Sequence, residues 1–289
     1  MAMNDDSMIG QSAEFLRVIH AARMVAATDV SVLLVGERGT GREMIAREIH
    51  SLSQRRRAPF MALSCLALED LAQLREAAGG TLFLDDLAQL RLNLQSGLLT
   101  LLERGELRGE RLDLRIIAST EPDLIDRVER GEFREDLYYR LNVVPLDVPS
   151  LRERAGDIPL LLKEFIKESA RQHGRRAPEF SVGAKNLIKS HSWPGNIREL
   201  RNFAERMVIL LPGQTIQPEN MPLEMKRPSR TLVEKLFHLP ETGIDLNALE
   251  ADILRQALVM AGGNRSKAAR LLNLSRDTFL YRLQKFAIE

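Results

Sequence analysis

Cysteine is nearly absent. The 289-residue chain holds one, Cys65, which excludes an internal disulfide framework and fits a reducing cytosol. Long apolar runs are missing too: none approaches the ~20 residues that a membrane-spanning helix needs, so no membrane partner is expected. Residues 1–10 are polar and acidic, which is not the pattern of a secretory signal. No low-complexity tract and no internal repeat stands out. Bulk charge is small as well. The formal net charge of +1 says little about partners, but its distribution says more. Residues 265–289 carry six Arg and Lys against Asp277 and Glu289, a local +4. What is present, 44% hydrophobic and 28% charged residues, suits a globular chain of about two domains.

One stretch organises the rest: Gly36-Glu37-Arg38-Gly39-Thr40-Gly41-Arg42-Glu43. An apolar run over 30–35 precedes it and a helical pattern over 44–52 follows. Strand, glycine-rich turn and helix start are the context of a phosphate-binding loop. Glycines let the backbone curl so that successive N–H groups face an anion, and the helix adds its own free N–H groups. The usual pattern ends Gly-Lys-Ser/Thr; here Arg42 stands at the lysine. In isolation an ordinary strand-to-helix turn would read the same way.

A second element narrows the choice. Residues 79–86, Gly-Gly-Thr-Leu-Phe-Leu-Asp-Asp, read as a buried strand ending in two carboxylates. Beside a phosphate loop, Asp85 can face Mg²⁺ and Asp86 the attacking water. An acidic cap for a helix over 92–104 is the plainer alternative.

Further strands are expected over 59–63, 114–120 and 143–146, with helices over 8–27, 66–78 and 133–141. Alternating strands and helices predict a parallel α/β sheet with its ligand at the carboxyl ends of the strands. After Pro149 only helices are expected: 157–172, 181–190 and 196–211, the last behind the breaker Trp193-Pro194-Gly195. Five prolines between 212 and 240 suggest a linker with a short helix inside. The last segment reads as helix-turn-helix. Asn247 and Glu250 form a capping pair for a stripe of Leu249, Ile253, Leu254, Ala257, Leu258 and Ala261. Asn264 and Ser275 cap two short helices. Phe279, Leu283 and Phe286 should pack inward. Arg276, Thr278, Tyr281, Arg282 and Lys285 should face out and, with Arg265 and Lys267, meet DNA. A plain helical hairpin with a solvated basic face is the alternative.

Taken together, these motifs resemble the bacterial enhancer-binding proteins, the AAA+ activators of sigma-54 RNA polymerase. Residues 36–43 match the family's Walker A loop and 79–86 its Walker B segment, Gly-Gly-Thr-Leu-Phe-Leu-Asp-Glu. Residues 133–142, Phe-Arg-Glu-Asp-Leu-Tyr-Tyr-Arg-Leu-Asn, are similar to its arginine-finger stretch. Residues 193–200, Trp-Pro-Gly-Asn-Ile-Arg-Glu-Leu, match its sensor II helix, and 263–283 look like its Fis-type helix-turn-helix. The resemblance implies an AAA+ parallel-sheet domain over 1–149, a helical lid over 150–225, a linker over 226–245 and an all-α DNA-binding domain over 246–289. It implies ATP or ADP at residues 36–43 with Thr120 and Arg198 as sensors, Mg²⁺ at Asp85, and Asp86 as the water-positioning carboxylate. Arg134 and Arg140 would be fingers reaching a neighbouring subunit. Implied partners are double-stranded DNA, a second copy through the C-terminal domain, a ring through the core, and paralogous activators or RNA polymerase.

The departures from the family are specific. Its sigma-54-contacting loop, Gly-Ala-Phe-Thr-Gly-Ala, has no counterpart: thirteen residues, 66–78, separate Cys65 from Gly79. Arg42 replaces the Walker lysine, and a planar guanidinium does not substitute for a compact ammonium. Asp86 is one methylene shorter than the catalytic glutamate. Glu121 brings a carboxylate towards a γ-phosphate, which repels it unless Mg²⁺ or an arginine offsets it. The expected function is therefore a DNA-binding regulator whose core binds nucleotide and assembles, and is at most a weak ATPase. The alternatives are a working sigma-54 activator, a co-regulator acting in hetero-oligomers, and a cyclic-dinucleotide sensor with Arg55, Arg56 and Arg57 near the site.

Overall fold

The computed structural model describes residues 8–226, 243, 245–272, 274–286 and 288. Of the proline-bearing stretch 212–240 expected as a linker, residues 212–226 belong instead to the helical lid, with Ile216, Met221 and Met225 in its core; the rest of the expected linker falls largely on 227–242 and lies outside the described residues. The chain divides into two units, 1–229 and 230–289.

The first unit is built on a five-stranded parallel sheet. Its strands are β1 (Val32–Val35), β2 (Phe60–Ser64), β3 (Thr81–Asp85), β6 (Arg115–Thr120) and β7 (Val144–Asp147), in the order β2-β3-β6-β1-β7. A two-residue hairpin, β4 (Glu106–Leu107) with β5 (Glu110–Arg111), precedes β6. Alternate residues of each inner strand feed opposite faces. Val32, Leu34, Phe83 and Ile117 pack under α1 (Ala13–Ala26) and α2 (Arg42–Ser51). Leu33, Leu82, Leu84, Ile116 and Ala118 pack under α3 (Leu92–Arg104) and α5 (Glu135–Leu141). Both faces being covered explains why these strands read as unbroken apolar runs. A short α4 (Leu124–Glu129) links β6 to α5.

The segment between β2 and β3 differs from expectation. No α-helix spans 66–78; a 3-10 helix, Leu71–Ala77, stands there, capped by Asp70. The cause lies in the spacing. Leu68, Leu71, Leu74 and Ala77 recur every third residue and are all buried, which matches three residues per turn rather than 3.6. The segment lies flat against the core instead of projecting. Burial also pushes the Cys65 thiol up to about 12, helped by Asp86 and Asp85.

Arg115, fully buried at the start of β6, donates to the Val25 and Ala26 carbonyls and so closes the C-terminal end of α1. Arg55 does similar work at the amino ends of the strands. Its guanidinium holds Asp29 at 2.8 Å, Asp113 at 2.7 Å and the Gly79 carbonyl at 3.1 Å, residues that precede β1, β6 and β3.

The lid follows β7: α6 (Ile158–His173), α7 (Val182–Ser190), α8 (Asn196–Leu210) and α9 (Leu223–Lys226), with a two-residue parallel pair, β8 (Glu179–Phe180) and β9 (Thr215–Ile216). Trp193 is its largest buried side chain; the indole donates to the Ile188 carbonyl at 3.0 Å and meets Phe203 and His191 edge-on. His191 beneath it, and His50 bonded to the Thr81 hydroxyl at 2.9 Å, are both held below the ordinary 6.5 chiefly by burial. Both are therefore neutral in the fold, while the unfolded chain takes up protons from about pH 6.5 downwards. The unfolded state then binds more protons, so stability present above that pH is lost as pH falls through the lowered values. The urea midpoint is expected to drop between about pH 7.5 and about pH 5.5. A flat or rising midpoint over that window would contradict the neutral assignment.

Among the described residues of the second unit, three helices, Leu246–Met260, Arg265–Leu271 and Arg276–Lys285, pack around Leu254, Ala257, Leu258, Ala268, Ala269, Phe279 and Leu283. Asn264 and Ser275 cap the second and third helices, as expected. The first begins differently. Asp245 caps it by accepting from the Asn247 and Ala248 amides, because the helix starts one residue before the expected cap. That leaves Glu250 free of capping, and it pairs instead with Arg282 at 2.7 Å and Lys285 at 3.7 Å. Ile253, expected in the buried stripe, is exposed.

Candidate functional site

β1 ends at the loop, and α2 begins at its far side with Gly41 as cap. Gly39 and Gly41 have φ of 79° and 97°, the left-handed region where a side chain is strained. Gly39 is further fixed by crowding, since a Cβ there would lie 2.3 Å from the Gly195 carbonyl oxygen. That oxygen belongs to the turn before α8, and the lid is bonded onto the loop at this point. The Ile197 amide donates to the Gly39 carbonyl at 2.9 Å. The Asn196 side-chain amide, buried and at φ 52°, donates to the Arg38 carbonyl at 3.0 Å and to Glu37 at 3.1 Å. Its oxygen accepts from the Leu151 amide at 2.7 Å. Glu37 is also gripped by Arg152, one arm at 2.8 Å, which holds its carboxyl below the usual range.

On the lid side of the loop lies a cavity of about 270 Å³, lined among others by Ile9, Phe15, Thr40, Gly41, Met44, Leu161, Phe165 and Ile197. Its wall is set by a buried network. Arg154 stacks on the Phe15 ring at 3.8 Å, pairs with Asp157 at 2.9 Å and donates to the Ile9 carbonyl at 2.7 Å. Asp157 in turn accepts from Gln11 and Ser12. A half-polar slot joined to a glycine loop and the start of α2 suits a nucleotide.

At the carboxyl ends of β3 and β6 the charged residues interlock. Arg42 is buried; Nη1 donates to the Gly36 carbonyl at 2.7 Å and Nη2 lies 3.4 Å from Asp85 Oδ1. The same Asp85 oxygen accepts from the Ser119 hydroxyl at 2.5 Å. Arg38 spans the other two carboxylates, Nη2 to Asp86 and Nε to Glu121, each at 2.7 Å. Asp86, the larger effect, and Glu121 both raise the guanidinium's pKa. Asp86 sits at φ 58°. Glu43 is turned along α2 to Arg47 at 2.6 Å. Thr120 is buried and its hydroxyl donates to the Glu121 carbonyl. Arg198 is exposed, and with Arg38 it lines a second cavity of about 250 Å³.

Other candidates stand elsewhere. Arg134 pairs with Asp136 at 2.6 Å, and Arg140 donates to the Leu102 carbonyl at 3.1 Å; both are exposed and neither joins the loop cluster. Arg55 is not near the phosphate loop. Its partners lie at the amino ends of the strands, the opposite edge of the sheet, so the expected basic cluster at the site does not form. In the second unit Arg265, Lys267, Arg276, Thr278, Tyr281 and Lys285 are exposed. Arg282 does not simply face out, because Glu250 holds it.

Sequence reasoning placed Arg38 in the loop but missed its bridge to Asp86 and Glu121, and it missed Arg152, Ser119 and Asn196 as members of the cluster. The excess of negative charge at Asp86 and Glu121 was the available signal: two such carboxylates need a cation, and of the loop's two arginines, Arg38 and Arg42, it is Arg38 that meets them.

Comparison with known proteins follows this geometry. Residues 9–151 match the Sigma-54 interaction domain, 152–236 the AAA+ ATPase lid domain, and 246–286 the Bacterial regulatory protein, Fis family. The transcriptional regulatory protein ZraR of Klebsiella oxytoca is 36% identical over 96% of this chain and 68% of its own length. The chain belongs to the bacterial enhancer-binding proteins. Another relative, the C4-dicarboxylate transport transcriptional regulatory protein DctD of Rhizobium meliloti (strain 1021), is 37% identical over 97% of this chain and 64% of its own length. The chain thus spans about two-thirds of the length of these relatives. Among solved structures, NtrX from Brucella abortus in complex with ADP superposes with a TM-score of 0.71 at 29% identity, covering 96% of this chain and 68% of that one. NtrX has also been solved with ATP. The parallel-sheet AAA+ core, helical lid and Fis-type helix-turn-helix expected of an enhancer-binding protein are all present. Among the described residues no helix is long and apolar enough to cross a membrane.

Proposed function

We propose that this enhancer-binding protein is a DNA-binding transcription regulator whose core binds ATP or ADP and assembles subunits but hydrolyses slowly and does not remodel sigma-54 polymerase. The observation that carries the reading is Arg38. One guanidinium holds Asp86 and Glu121, so the carboxylate placed to orient the water is already spent in an ion pair. Nucleotide binding is supported by the slot beside Thr40 and Gly41, by the positive-φ glycines, and by the bound nucleotides of NtrX. Residues 36–43, with Thr120 and Arg198, are assigned to the nucleotide. Arg134 and Arg140, both exposed, are assigned to a neighbouring subunit's nucleotide in a ring.

The loss of polymerase remodelling is supported by the β2–β3 segment, whose Leu68, Leu71, Leu74 and Ala77 are buried in the core. In the second unit, Leu246, Ile253 and Met260 are exposed at intervals of seven along one helix, a stripe suited to a two-fold pair. Such a pair would present Arg276 to DNA half-sites about one turn apart.

The test is titration with ATP and ADP, with hydrolysis followed on the same sample. Micromolar binding with slow turnover is expected. Rapid turnover would make the core a working motor, and absence of binding would reduce it to a scaffold.

A further inference from the structure

Each of the five carboxylates at or beside the loop has an arginine partner. Glu37 meets Arg152, Glu43 meets Arg47, Asp85 meets Arg42, and Asp86 and Glu121 share Arg38. A divalent metal at a phosphate loop needs oxygen ligands in near-octahedral geometry, one or two of them carboxylate, the rest hydroxyl, water and phosphate. The donor set here does not fit that need. The hydroxyl that a phosphate loop gives to Mg²⁺ is replaced by Glu43, which faces Arg47. Asp85 Oδ1 is shared between the Ser119 hydroxyl and the Arg42 guanidinium. Among the described residues no three His, Cys, Asp or Glu side chains gather as a metal cluster.

We propose that Arg42 is the resident cation of this site, taking the place beside Asp85 that Mg²⁺ takes at phosphate loops, so that the chain binds nucleoside di- or triphosphates without a divalent metal. The inference rests on the nucleotide-binding reading above and adds what neutralises the phosphates. Two of the five donors of the guanidinium are used, one on the Gly36 carbonyl and one on Asp85. The proposal assigns the remaining three to phosphate oxygens. The two anchors fix the fork in place, and an ammonium has neither the fork nor the reach to keep both. Mg²⁺ would have to enter beside a guanidinium that burial and the Gly36 bond prevent from leaving, against direct charge repulsion.

The experiment is calorimetric titration of the full 289-residue chain with ATP and with ADP, once in excess Mg²⁺ and once in EDTA. The Kd in EDTA is expected to equal that in Mg²⁺ within about threefold, or to be tighter. A Kd weakened about tenfold or more by EDTA would overturn the proposal while leaving nucleotide binding intact. No binding in either buffer would overturn both. The Arg42→Lys variant is expected to need the metal, with binding weakened at least about tenfold by EDTA. If that variant binds equally well in both buffers, Asp85 is not made unavailable by Arg42 and the proposal fails. Should the variant not fold, the comparison on the parent chain decides alone.

Discussion

With this chain as the sole activator, a sigma-54 promoter should give no ATP-dependent transcript. The expected effect is all or none, since the family's motor acts on the polymerase through a projecting loop between the second and third strands. Here that connection runs through Leu68 into a 3-10 helix, Leu71–Ala77, and Leu68, Leu71, Leu74 and Ala77 are all buried in the core. To project, the segment would have to expose four apolar side chains, a cost of roughly 1–3 kcal/mol for each leucine. An open-complex assay with purified polymerase checks this. Heteroduplex opening that depends on ATP and on this protein alone would refute it. Adding a loop-bearing relative in trans separates a silent regulator, which leaves the relative's transcript unchanged, from a partner in mixed rings, which raises or lowers it.

Restoring hydrolysis should require four changes at once. On the proposed reading, single ones fall short. Asp86→Glu lengthens a carboxylate that Arg38 already holds at 2.7 Å, and the longer chain stays within that arginine's reach. Glu121→Asn removes one partner of Arg38 and leaves it on Asp86 alone. Arg42→Lys frees Asp85 but not the water-positioning group. Together with Arg38→Ser, these changes return a carboxylate that can meet the water. The gain in turnover over the parent should be on the order of a hundredfold, the cost usually attached to a misplacement of ~1 Å. Steady-state phosphate release is the measurement. A parent already as fast as the fourfold variant would show that the Arg38 bridge opens during turnover and does not restrain it.

The parallel sheet was legible because each inner strand alternates between two covered faces, which leaves unbroken apolar runs such as Leu82-Phe83-Leu84. The lid was legible through Trp193-Pro194-Gly195, whose turn delivers Asn196 to the loop. Pairings between distant segments were not. Arg38 with Glu121, Arg152 with Glu37 and Arg282 with Glu250 join residues 32 to 115 positions apart. Local pattern carries no information about which arginine meets which carboxylate. The 66–78 segment shows a finer limit. Its leucines suit a helix by composition, and only their recurrence at every third position distinguishes the tighter 3-10 form.

The bonds from Asn196 and Ile197 to Arg38 and Gly39 have one more consequence. The loop and the first turn of α8 share backbone contacts, so whatever displaces the loop also turns the lid, without any bond being broken in the nucleotide. A ligand that favours one loop position then sets the lid by its differential affinity alone. The duration of the signal is fixed by how slowly the nucleotide leaves. With the slow hydrolysis proposed above, the core would act as a concentration gauge for adenine nucleotides, read continuously, rather than an engine that runs in strokes.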